Sequence, residues 1–158
     1  MARAAVIGIG NPDRGDDGAG RVIAHRLQDL VPSDVEVLQH DGEATALVAQ
    51  LHDAPTVLIV DACQSGAAAG TVHRFDAHRA PLPAAQFGLS SHGFGLASAI
   101  ELARALNQLP QRCIVYAVEG KCFDAGAGLS PPVTAAVAVI TARILAELGA
   151  RDQPAECF

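Results

Sequence analysis

Four residues of this chain have a type and placement suited to chemistry: Asp16, Asp17, Asp61 and His92. Asp16 and Asp17 stand side by side in the loop Gly8-Ile9-Gly10-Asn11-Pro12-Asp13-Arg14-Gly15-Asp16-Asp17-Gly18-Ala19-Gly20. Asp61 closes the apolar run Thr56-Val57-Leu58-Ile59-Val60, where a carboxylate has to be solvated or paired. His92 lies in Ser90-Ser91-His92-Gly93, after a long loop and at an expected helix start. Asp17, Asp61 and His92 together offer two hard oxygen ligands and one imidazole. That set suits Ni, Zn, Fe or Mn and leaves positions open for water or substrate. Asp17 and Asp61 are also the two carboxylates available for catalysis.

Each of these residues has a plainer role to be weighed against the chemical one. At a helix start Asp16 would cap the helix, and for Asp16 this reading is at least as good as a functional one. The same helix dipole would hold Asp17 as an anion suited to a metal or to general-base work. His92 has the plainer role of a residue beside a helix cap. His25, His52, His73 and His78 read as surface or ordinary structural residues, and His40 as a solvated residue closing the second strand. Cys63, Cys113, Cys122 and Cys157 show no paired metal or redox spacing and read as reduced thiols. Cys63 stands two residues after Asp61, but as a small buried hydrophobe rather than a ligand.

A glycine-rich loop between strand and helix also raises the possibility of a phosphate cradle. A dinucleotide fingerprint after Gly8 and Gly10 needs its third glycine at position 13, which is Asp13. No Gly-Lys-Ser/Thr follows, and three aspartates in one loop would repel a pyrophosphate. The loop suits a cation instead.

The elements that must position these residues follow from periodicity. Arg3 to Gly10 reads as a buried strand, and Ala19, Val22, Ile23, Leu27 and Leu30 mark a helix from about Asp16 to Leu30, closed by Pro32. Val35 to Leu38 is a second strand, and Ala44, Leu47, Val48 and Leu51 form one face of a short helix. Thr56 to Val60 is a strand covered on both faces. Gly70 to Phe75 is a more polar strand towards a sheet edge. Leu96, Ala99, Ile100, Ala103 and Leu106 mark a helix that Ser90 or Ser91 would cap. Cys113 to Val118 is a further strand. Ser130-Pro131 starts a last helix, with Val133, Val137, Ile140, Ile144 and Leu148 as its buried stripe and Gly149 as its end.

This order implies an α/β fold: one three-layer domain over residues 1–150, a mostly parallel twisted sheet flanked by helices, and a loosely ordered tail over 151–158. Ligands of such sheets bind outside the carboxyl ends of the strands, where strand order reverses. With the first strand central, Asp17 and Asp61 meet at that point.

Composition bounds the rest. The chain has 158 residues and 16.2 kDa, half of them apolar and 18% charged, with no Trp, enough for one sizeable core. Eleven Lys and Arg against seventeen Asp and Glu give a net charge of −6, which argues against nucleic acid and anionic membrane surfaces as partners. No leader and no apolar run long enough to span a bilayer is expected, so the expected location is the cytoplasm.

Taken as a set, Gly8-Ile9-Gly10-Asn11, Asp16-Asp17-Gly18-Ala19-Gly20, Val60-Asp61, Ser91-His92 and Gly128-Leu129-Ser130-Pro131-Pro132-Val133 resemble the hydrogenase maturation endopeptidases, in order over nearly the whole chain. The resemblance implies a phosphorylase/hydrolase-like α/β fold and a cytoplasmic endopeptidase. Its partner would be the large-subunit precursor of a [NiFe] hydrogenase, whose C-terminal extension it removes after nickel insertion. The family's metal-binding positions fall on Asp17, Asp61 and His92. The resemblance implies that they recognise nickel supplied by the substrate rather than permanently bound. Two features depart from the family pattern: Asp13 stands where an apolar residue is usual, and Val118-Glu119-Gly120-Lys121-Cys122 replaces a common Gln-Pro version. Water activation by a carboxylate base and by metal polarisation both remain open. The alternatives of another class are a non-catalytic nickel-binding maturation chaperone and a hydrolase with its own resident divalent metal.

Overall fold

The computed structural model describes residues 2–51, 53–83 and 95–149. Its sheet has the order β2-β1-β3-β5-β4, built from β1 (Ala4–Ile9), β2 (Val35–His40), β3 (Thr56–Cys63), β4 (Val72–Asp76) and β5 (Arg112–Glu119). β1 pairs in parallel with both β2 and β3, and β3 in parallel with β5. β4 joins the edge antiparallel to β5. β1, β3 and β5 are almost wholly buried, which explains their unbroken apolar runs.

Helices cover both faces. α1 (Ala19–Leu27) and α4 (Pro131–Gly149) pack together over Val6, Leu58, Val60, Ile114 and Tyr116. α2 (Ala44–Leu51) and α3 (Leu96–Ala105) pack together over Ile7, Val57, Ile59 and Val115. This is the three-layer α/β architecture expected, and strand order reverses between the neighbouring strands β1 and β3.

Several local expectations are corrected. The first helix does not begin at Asp16: a 3₁₀ turn over Gly15–Gly18 precedes α1, and neither aspartate caps α1, whose N-cap Gly18 has no side-chain cap bond. α1 ends at Leu27, and Leu30, read as apolar-face, is 55% exposed because the chain has already turned away. Leu106 is likewise exposed, just past the end of α3. The third strand runs on past Val60 to Cys63, so Asp61 lies within it. α4 is also long and apolar enough, by length and composition alone, to cross a membrane. It is instead a core helix here, with Val133, Val137, Ile140, Ile144 and Leu148 packed on the sheet. The cap expected at Ser90 or Ser91 and the tail expected over 151–158 lie outside the described residues.

Candidate functional site

β1 delivers its loop to the switch point through two close approaches. Gly20 brings α1 so near the sheet that a Cβ there would sit 2.3 Å from the Ile9 carbonyl oxygen and 2.6 Å from that of Val60. Gly10 takes φ +149°, and a Cβ on it would lie 1.8 Å from the Asp17 carbonyl oxygen. The loop then closes on itself. Asn11 Oδ1 accepts from the Asp13 N–H (2.9 Å), the Arg14 N–H donates to the Asn11 carbonyl (3.2 Å), and Arg21 Nε donates to the Gly10 carbonyl (2.9 Å).

Asp16 and Asp17 do different work in the 3₁₀ turn. Asp16 is fully buried and accepts four hydrogen bonds: the N–H groups of Lys121 (2.7 Å) and Cys122 (3.0 Å), and the N–H (2.7 Å) and hydroxyl (2.8 Å) of Ser130. Burial raises its carboxyl, but these donors outweigh burial and hold it below the ordinary value. Asp16 is therefore a clamp between the β1 loop and the β5–α4 loop. The Ser130 hydroxyl, just before α4, donates to this clamp.

Asp17 is half-buried, and its Oδ2 accepts the Asn11 N–H at 3.1 Å. Asp61 is buried on β3, where its Oδ1 accepts the Ala62 N–H at 2.8 Å. Burial, and then the neighbouring charge of Asp17, push the Asp61 carboxyl well above the ordinary value, and the Ala62 N–H offsets this only in part. Two carboxylates thus share the carboxyl end of β1 and β3, and Asp61 retains its proton more readily than an exposed aspartate. The fold brings together the two aspartates singled out from sequence. His92, the third, lies outside the described residues.

The same sheet end holds further polar groups. His40 is buried rather than solvated: its Nδ1 accepts the Gly42 N–H (2.8 Å), while its carbonyl accepts the Gly10 N–H (3.1 Å). Burial lowers its imidazole, the charges of Asp41 and Glu43 oppose that, and Arg21 adds to it. Glu119, also buried, ends β5 beside Cys63 of β3 and meets His73 of β4. The Cys63 thiol is pushed up to about 12 by burial, by the Glu119 charge and hydrogen bond, and by Asp61. It is therefore a poor nucleophile. The signal for Glu119 was present in the sequence, as an acid closing a buried apolar strand, the same feature that marks Asp61.

A paired carboxylate site of this kind, at the switch point of an α/β sheet, is chemistry suited to hydrolysis assisted by acid, base or cation. Residues 22–147 match the model of the family described as hydrogenase maturation protease, a span that includes Asp61 and His92 and begins after Asp17. The chain belongs to that family and is a hydrogenase maturation protease. Solved structures agree. The hydrogenase maturating endopeptidase HybD from E. coli is 26% identical with a TM-score of 0.79, covering 95% of this chain and 94% of that one. An endopeptidase from Escherichia coli, solved in solution, is 24% identical with a TM-score of 0.82 over 95% and 94%. A [NiFe] hydrogenase maturation protease, HycI from Thermococcus kodakarensis KOD1, is 24% identical with a TM-score of 0.71 over 94% and 93%. The last two speak to the fold alone. Among curated proteins, none matches the sequence.

Proposed function

We propose that this protease removes the C-terminal extension of a [NiFe] hydrogenase large-subunit precursor in the cytoplasm, acting only after nickel has been inserted. The observation that carries the reading is the Asp17–Asp61 pair, in which burial, and then the charge of Asp17, holds the proton on Asp61. A divalent cation arriving with the substrate would reverse that balance, because it favours the ionised form of both groups. Nickel held by the precursor is thus recognised by Asp17 and Asp61, with His92 as the third ligand. It belongs to the substrate rather than to the enzyme.

Docked in this way, the scissile peptide bond lies beside the carboxylates by proximity. Asp17 takes the proton of the attacking water, whose oxygen bonds to the carbonyl carbon. The C–N bond breaks as the leaving nitrogen takes up the proton that Asp17 received from the water, with Asp61 beside it as the second carboxylate. This makes the reaction aspartyl-type, and the raised thiol of Cys63 argues against that residue as a nucleophile. The test is incubation with nickel-loaded and nickel-free precursor: only the first loses its extension. If Asp17→Asn and the unaltered enzyme cut equally, the reading fails. A resident catalytic metal, the rival account, would copurify with the enzyme and be lost in Asp17→Asn.

A further inference from the structure

The polar cluster at the ends of β3, β4 and β5 takes no part in that chemistry. Cys63 and Glu119 are paired in the parallel register of β3 and β5, and His73 pairs with Ala117, two residues before Glu119. Cys63 and Glu119 are buried and His73 is half-buried. Their donor atoms, Sγ, Nε2 and a carboxylate oxygen, all lie within 4.8 Å of one another. The site holds no ion.

Two distances are compatible with a shared ion. Glu119 Oε1 lies 3.5 Å from Cys63 Sγ and 3.2 Å from His73 Nε2. Around a tetrahedral zinc, with metal–sulfur bonds of about 2.3 Å and metal–nitrogen and metal–oxygen bonds of about 2.0 Å, those separations are about 3.5 Å and 3.3 Å. Cys63 Sγ, His73 Nε2 and the Ser65 N–H (3.0 Å) converge on that one oxygen, which has two lone pairs. With a cation among them, Oε1, Sγ and Nε2 become ligands. The Ser65 N–H keeps its bond to Oε2 (3.1 Å) and fixes the carboxylate from outside. Thiolate and carboxylate together neutralise a divalent charge, as a buried site requires.

We infer that Cys63, His73 and Glu119 form a second metal site, for a zinc-class divalent cation, with the Ser65 hydroxyl or a water as fourth ligand. The ion would tie the antiparallel edge strand β4 to the carboxyl ends of β3 and β5. It is chemically distinct from the Asp17–Asp61–His92 set, which has no sulfur, and does not depend on the nickel reading.

Cobalt(II) titrated into the reduced, chelator-treated full chain tests the site, because a thiolate ligand gives a near-ultraviolet sulfur-to-cobalt charge-transfer band that oxygen and nitrogen ligands do not. The band is expected at one equivalent, displaced by zinc, unchanged in Asp17→Asn and Cys122→Ser, and absent in Cys63→Ala. In His73→Gln, on the more accessible edge strand, cobalt affinity falls about tenfold or more. Zinc raises the melting temperature of the unaltered protein and not that of Cys63→Ala. The inference is overturned if the unaltered protein gives no charge-transfer band, or if the band survives Cys63→Ala and disappears in Cys122→Ser. The first overturning result needs no variant to fold.

Discussion

Ser130 donates both its backbone N–H and its hydroxyl to the carboxylate of Asp16, at 2.7 Å and 2.8 Å. These two residues are far apart in sequence, and the pair fastens the start of α4 to the turn that presents Asp17. Presentation of the site is thus a long-range property, set by the loop that follows β5.

Asp16→Ala leaves the N–H groups of Lys121, Cys122 and Ser130 without their acceptor, and should cost about 3 kcal/mol by chemical denaturation. Asp16→Asn should cost less, since one amide oxygen still accepts.

The clamp also sets an acid limit. The folded-state carboxyl of Asp16 lies below its ordinary value of 3.8. Its contribution is therefore complete above the unfolded value and is lost as pH falls through the lower folded one. The denaturation midpoint of the unaltered protein should drop on acidification below about pH 4, and in Asp16→Asn that component should be missing.

Asp61 behaves in the opposite sense. Its folded carboxyl is raised, so its favourable contribution is complete below the unfolded value and is lost as pH rises through the folded one. Asp61→Asn, which mimics the protonated form, should be more stable than the unaltered protein at neutral and alkaline pH. Its processing rate should fall by about a hundredfold or more. A variant that is less stable across that whole range would contradict the assignment. In Asp17→Asn the Asp61 carboxyl should titrate at lower pH by NMR, because one of the two causes of its elevation is gone.

Gly20→Ala tests the positioning of the loop. Its methyl would press on the Ile9 and Val60 carbonyls, both backbone, so α1 has to move off the sheet. A loss of about 2 kcal/mol in stability is expected, with a fall in processing although no ligand is touched.

The sheet and the meeting of Asp17 with Asp61 were legible because continuous apolar runs mark β1, β3 and β5, and because sheet topology gathers what their ends carry. What local pattern does not carry is pairing across the chain. Asp16 looked like a helix cap because its acceptors' partners, Lys121, Cys122 and Ser130, lie on another loop. His40 looked solvated, yet β1 and the Gly42 turn enclose it. Cys63 and His73 each looked ordinary alone; only the β3–β5 and β4–β5 registers bring them both to Glu119.

The most direct test of the account is the processing assay with purified precursor, with and without inserted nickel, against the unaltered enzyme and Asp17→Asn, Asp61→Asn and His92→Ala. Release of the C-terminal extension is expected only from nickel-loaded precursor and only by the unaltered enzyme, with all three variants folded and inactive. Cleavage of nickel-free precursor at the same rate, or full activity in any one variant, would contradict it.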